Sequence, residues 1–96
     1  MDKLEALRHS LDNLDSALIS ILSERFKLTY DVGVFKAENN LPSIDKERER
    51  KQFERIKQLA VNHGLEPEIA VKVLRLIIDE VVKKHDKIQE IKKKEK

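Results

Sequence analysis

Between Leu4 and Ala37 the apolar residues recur at alternating spacings of three and four: Leu4, Leu7, Leu11, Leu14, Leu18, Ile21, Leu28, Val32 and Phe35. This is a heptad seam, and a helix that carries one normally lays it against another helix. One beat is missing, because the position due for an apolar knob holds Arg25. No Pro interrupts the stretch and its only Gly is Gly33. A single helix of roughly 34 residues follows, about 50 Å long. A chain of 96 residues cannot wrap a globular core around such a rod. Apolar surface of that extent is a liability in a monomer, so the expectation is a helical dimer in which a second copy covers the seam.

The remaining elements are also helical. Asn39-Asn40-Leu41-Pro42-Ser43 reads as a short loop, and Asp45 or Ser43 can cap a second helix. Its buried side would be Phe53, Ile56, Leu59 and Ala60, with His63-Gly64 ending it. Pro67 suits the first position of a third helix, along which Ile69, Val73, Leu76, Ile77, Val81, His85 and Ile88 recur at threes and fours. The expected fold is all-α: one domain over 1–96, with helices at about 2–38, 45–63 and 67–91. Two Gly, two Pro, three Phe and one Tyr argue against a β-rich alternative.

Composition narrows the function classes. Without Cys there is no disulfide framework, thiol nucleophile or cysteine metal site. His9 and His63 do not stand at metal-ligand spacing with His85 or with carboxylates, so no metal is expected. No serine-based triad or glycine-rich phosphate loop can be assembled. A net charge of +2 is too small to imply nucleic acid. Lys87, Lys92, Lys93, Lys94 and Lys96 make the last stretch basic, but Glu90 and Glu95 interrupt it, which reads as a solvated, fraying helix end. No run is long enough to span a bilayer, and the N-terminus reads as an amphipathic helix without a signal core. A soluble cytoplasmic protein is the expectation.

Candidate chemistry centres on Arg25. A guanidinium in a burial slot must be paired, hydrated or waiting for an anion. It either forms an ion pair with Glu24, Asp45 or Glu49 of one chain or the other, or clamps a carboxylate through its fork of donors. Lys36, eleven residues on and close to three turns away, shares its face about 16 Å along the axis. It is either a solvated lysine at a helix end or the second bracket of one small dianion. Arg8 lies about 100° off that line and some 25 Å away, so the same rod cannot bring it to Arg25. It is a surface arginine unless an antiparallel partner presents it. Asp45, Arg48 and Glu49 share one face of the second helix, with Gln52 continuing the edge, either as a capping and salt-bridge network or as a polar wall facing a hydroxyl. Val81 reads as core. His85 is either a packing residue or a group that switches between neutral and cationic donor near neutral pH.

Leu7-Arg8, Leu14-Asp15, Leu22-Ser23-Glu24-Arg25, Val32-Gly33-x-x-Lys36 and Pro42-x-x-Asp45-x-x-Arg48-Glu49, in that order and spacing, resemble the all-helical chorismate mutases. These occur as the N-terminal domain of bacterial chorismate mutase–prephenate dehydratase, and the resemblance runs from Leu4 to about Ile88. It implies an intertwined homodimer with antiparallel first helices and two sites built from both chains. The implied reaction is the Claisen rearrangement of chorismate to prephenate, without cofactor or metal. By position, the partner's Arg8 and this chain's Arg25 would bind the two carboxylates. Lys36 would face the ether oxygen, and Glu49, with Asp45 and Arg48, the ring hydroxyl. Two positions depart from the pattern. Val81 stands where the bacterial enzymes often have a serine on the ring carboxylate, and His85 where a glutamine donates to the ether oxygen. If His85 supplies that proton, activity should fall as pH rises through its titration. The departures also leave room for isochorismate or 4-amino-4-deoxychorismate as substrate, or for a non-catalytic dimerisation module.

Overall fold

In the computed structural model, which describes residues 2–95, three helices follow one another: α1 (Lys3–Glu38), α2 (Lys46–Asn62) and α3 (Pro67–Glu95). Met1 and Lys96, the last of the basic residues noted above, lie outside the described residues. The all-α expectation of one long, one medium and one long helix holds. Helix α3 continues to Glu95, past the expected end near 91. Lys92, Lys93 and Lys94 sit in that last turn, where cations complement the helix dipole.

Local chemistry sets the boundaries. Asp2 caps α1 by accepting from the Glu5 N–H at 2.8 Å, and Asp45 caps α2 by accepting from the Arg48 N–H at 3.0 Å. Both connections leave their helix by the same left-handed turn. After α1, Asn40 takes φ 56 and the Leu41 N–H reaches back to the Lys36 carbonyl at 2.8 Å. After α2, Gly64 takes φ 74 and Leu65 N–H reaches the Ala60 carbonyl at 2.8 Å. Asparagine tolerates that conformation better than most side chains, and glycine adopts it freely.

Helix α3 packs against both α1 and α2, whereas α1 and α2 do not pack on each other. The molecule is therefore elongated, 62 × 27 × 14 Å. The buried apolar set is Ala37 on α1, Ala60 on α2, and Ala70, Leu74 and Ile78 on α3. On α3 the expected line holds from Ile77 onward, where His85 is buried and Ile77, Val81 and Ile88 are half-buried, but before it the buried line is shifted, since Ile69, Val73 and Leu76 remain exposed. The helix carries two apolar lines, and contact with α1 and α2 consumes only one. The α1 seam is equally bare: Leu4, Leu7, Leu11, Leu14, Leu18 and Ile21 are all exposed, Leu14 to 65%.

Candidate active site

Where the C-terminal half of α1 meets the start of α2 and the middle of α3, a cleft of about 180 Å³ opens. Arg25, Lys36, Asp45, Arg48, Glu49, Val81 and His85 all line it. Seven of the eight positions singled out from the sequence are therefore brought together from three helices. The eighth, Arg8, is exposed on the free N-terminal half of α1 and does not reach the cleft of its own chain.

Side-chain pairing within the chain bears on several of the alternatives. Among the described residues Arg25 has no carboxylate partner, and the three acids that could have paired with it within the chain each bond to another group. Glu24 binds Lys27 at 2.9 Å, Asp45 caps α2, and Glu49 binds Arg75 at 3.3 Å. Lys36 is half-buried, with its Nζ 3.4 Å from the Ser43 carbonyl. It is not a freely solvated end-of-helix lysine: the turn at Asn40 folds the loop back over it. The guanidinium of Arg48 likewise has no carboxylate partner among the described residues, because its bond to Asp45 is made by the backbone N–H. Three cations thus face a cleft whose acids, Asp45 and Glu49, each have one oxygen engaged, Asp45 by the α2 backbone and Glu49 by Arg75. Such an arrangement suits an anionic ligand.

His85 is the most enclosed side chain of the site, 3% exposed. Its Nε2 lies 2.8 Å from the Thr29 carbonyl. A carbonyl can only accept, so Nε2 carries the proton and donates to α1. Nδ1 is buried and unpartnered, as is the hydroxyl of Ser43, and both residues line the cleft. Buried polar atoms seldom lack a partner, so two orphans on one cleft mark places where a ligand or water can bond. Val81 offers only methyl groups.

Sequence reasoning missed Thr29 and Ser43 at the cleft, and it missed Arg75. Thr29 acts through its backbone carbonyl, which no side-chain pattern reports. Arg75 is 26 residues from Glu49, and only the packing of α3 on α2 makes them neighbours. A second, larger cleft of about 690 Å³ adjoins the first, sharing Arg25, Arg48 and Gln52 and lined otherwise mainly by apolar residues such as Leu18, Ile21, Ile56 and Val73. Among the described residues no cluster of three His, Cys, Asp or Glu side chains is placed to hold a metal ion. No described helix is long and apolar enough to cross a membrane.

The sequence pattern of the family described as Chorismate mutase type II matches residues 7–86, which includes every cleft residue named above. The chain belongs to that family. Among relatives of the type II chorismate mutases, a chorismate mutase of Methanocaldococcus jannaschii is 29% identical, the match covering 82% of this chain and 80% of that protein. The bifunctional chorismate mutase/prephenate dehydratase of Aquifex aeolicus is 37% identical over 93% of this chain. The corresponding Escherichia coli protein is 35% identical over 82%. The matched region spans a quarter or less of these two bifunctional relatives, 25% and 20% of their lengths.

Proposed function

We propose that the chain catalyses the rearrangement of chorismate to prephenate in the α1–α2–α3 cleft, as a homodimer. The observation that carries this reading is the convergence of Arg25, Lys36 and Arg48, none with a carboxylate side-chain partner among the described residues, in a chain of the type II chorismate mutase family.

Chorismate is a flexible dianion, and its reaction is a single intramolecular step. The ether C–O bond breaks as a C–C bond forms between the enolpyruvyl methylene and the ring carbon that bears the carboxylate. No proton is transferred and no covalent intermediate is needed. What a protein can supply is a folded substrate conformation and a field that favours charge separation. Arg25 holds one carboxylate and the partner subunit's Arg8 the other. Lys36 faces the ether oxygen, where negative charge grows as the bond breaks, so it favours the transition state over the ground state. Glu49 accepts from the ring hydroxyl, with Asp45 and Arg48 beside it. His85 takes the place of an amide donor at the ether oxygen, and Val81 leaves the ring carboxylate one contact poorer.

Dimerisation is supported by the bare seam of α1 and the unused line Ile69, Val73, Leu76 on α3. The cleft of one chain, about 180 Å³, falls below the roughly 300–1,000 Å³ of small-molecule pockets, which fits a site with one wall supplied by a second copy.

The test is direct. Purified protein is incubated with chorismate, its loss of absorbance is followed, and the product is identified by chromatography, with Lys36→Ala in parallel. Prephenate from wild type, with a turnover lowered a few hundredfold or more in Lys36→Ala (about 3–4 kcal/mol), is the expected result. Intact chorismate with wild type overturns the reading.

A further inference from the structure

Arg75 does not line the cleft, yet it touches the acid at its ring end. Its guanidinium lies 4.5 Å from the centroid of the Phe53 ring. Its Nη1 donates to Glu49 Oε1 at 3.3 Å and to Asp79 Oδ1 at 3.5 Å. Glu49 and Phe53 belong to α2, Arg75 and Asp79 to α3, so one side chain ties the two helices together. Stability alone is a poor account of this arrangement. The Arg75 side chain is half exposed, and ion pairs of that kind contribute little. The Glu49 side chain, by contrast, is only 15% exposed and faces the cleft.

We propose that Arg75 is a specificity-determining positioning residue: it holds one oxygen of Glu49 from outside the cleft and biases the ring end of the site toward a neutral hydroxyl over a ring ammonium. This rests on the cleft being a chorismate site. With Oε1 engaged, Oε2 has no partner among the described residues and is the oxygen left to accept from a ring substituent. A hydroxyl and an ammonium can both donate to it, so hydrogen bonding does not separate them. Charge does. Glu49 and Asp79 together carry two negative charges, and Arg75 reduces the group to one. An ammonium set against Glu49 also meets the guanidinium a few ångströms behind it, in a cleft that Arg25, Lys36 and Arg48 already make cationic. A hydroxyl meets no such repulsion. The stack on Phe53 restrains the guanidinium, which a flexible lysine head would not match.

The experiment compares chorismate with 4-amino-4-deoxychorismate, whose ring carries the ammonium. Chorismate is followed by its KM, and the amino analogue by its inhibition constant against chorismate, so the analogue need not turn over. Arg75→Gln should shift the ratio of the two constants toward the amino analogue by roughly three- to tenfold, the effect of one partly screened charge about 7 Å away. Arg75→Lys should recover part of the discrimination. In a Glu49→Gln background, Arg75→Gln should shift the ratio by less than it does with Glu49 present, because the through-space repulsion persists while the positioning of Glu49 is already lost. Unfolding midpoints of the Arg75 variants monitor folding. If Arg75→Gln weakens both compounds equally, or shifts the ratio equally with and without Glu49, the role assigned to Arg75 is overturned. Wild type that leaves chorismate intact overturns the reading of the cleft itself, a distinct outcome.

Discussion

His85 occupies the space that any side chain at position 33 would need. A Cβ built on Gly33 would stand 2.5 Å from His85 Cδ2 and 2.9 Å from its Nε2, so the imidazole lies directly on the backbone of α1. This close approach is what lets Nε2 reach the Thr29 carbonyl, one turn before Gly33.

Gly33→Ala is therefore predicted to destabilise, although alanine is the better helix former. The propensity gain is about 1 kcal/mol, and overpacking against a buried ring costs about 1–3 kcal/mol. A lowered unfolding midpoint is expected, together with reduced turnover as His85 is displaced. Adding His85→Ala to Gly33→Ala should relieve the clash and bring the midpoint back toward that of His85→Ala alone. Thermal unfolding of the four proteins checks this.

If the partner's Arg8 completes the cleft, Arg8→Ala and Arg25→Ala should each be inactive as homodimers and complement one another when mixed. A mixed dimer has one site lacking both arginines and one with both intact. Equal mixing with free exchange should restore about a quarter of wild-type activity, because half the dimers are mixed and each has one working site. Arg25→Ala should remain dimeric by sedimentation. Failure to complement would place Arg8 outside the site.

The tautomer of His85 decides what it can offer a substrate. Because Nε2–H is committed to Thr29, the neutral ring presents Nδ1 as a bare acceptor. His85→Gln, whose side-chain amide can donate, should therefore raise turnover on chorismate. Steady-state kinetics of the two proteins check this, and a lowered turnover in His85→Gln would show that the ring is the better partner of the reacting oxygen.

On the exposed face of α2, Arg50 donates to both carboxylate oxygens of Glu47, at 2.6 and 3.1 Å, and to Glu54 at 2.6 Å. The bond to Arg50 holds the Glu47 carboxyl below its ordinary value. A depressed folded-state value gives a stabilisation that is present above the unfolded value and lost as pH falls through the folded one. The midpoint difference between wild type and Arg50→Ala should therefore be small near neutrality, as for exposed pairs generally, and should shrink as pH falls below about 4. Thermal scans across that range measure it.

The heptad spacing of Leu4 to Phe35, the two turn segments and Pro67 were enough to determine three helices and their lengths, because helix formation and capping are local. The irregular Arg25 in that seam likewise marked a guanidinium in need of a partner, with an ion pair and an anion site both open, since burying an unpaired guanidinium has no local remedy. Which line would be buried in the first half of α3 was not legible. Ala70, Leu74 and Ile78 compete with Ile69, Val73 and Leu76 at the same period, and only packing against α1 and α2 selects between them. Tertiary structure also decided the partners: Glu49 with Arg75 across two helices, His85 with a backbone carbonyl, Arg25 with no acid among the described residues. Those pairings depend on helices approaching to within a side chain's reach. Periodicity fixes the face on which a residue lies but not the neighbour it meets.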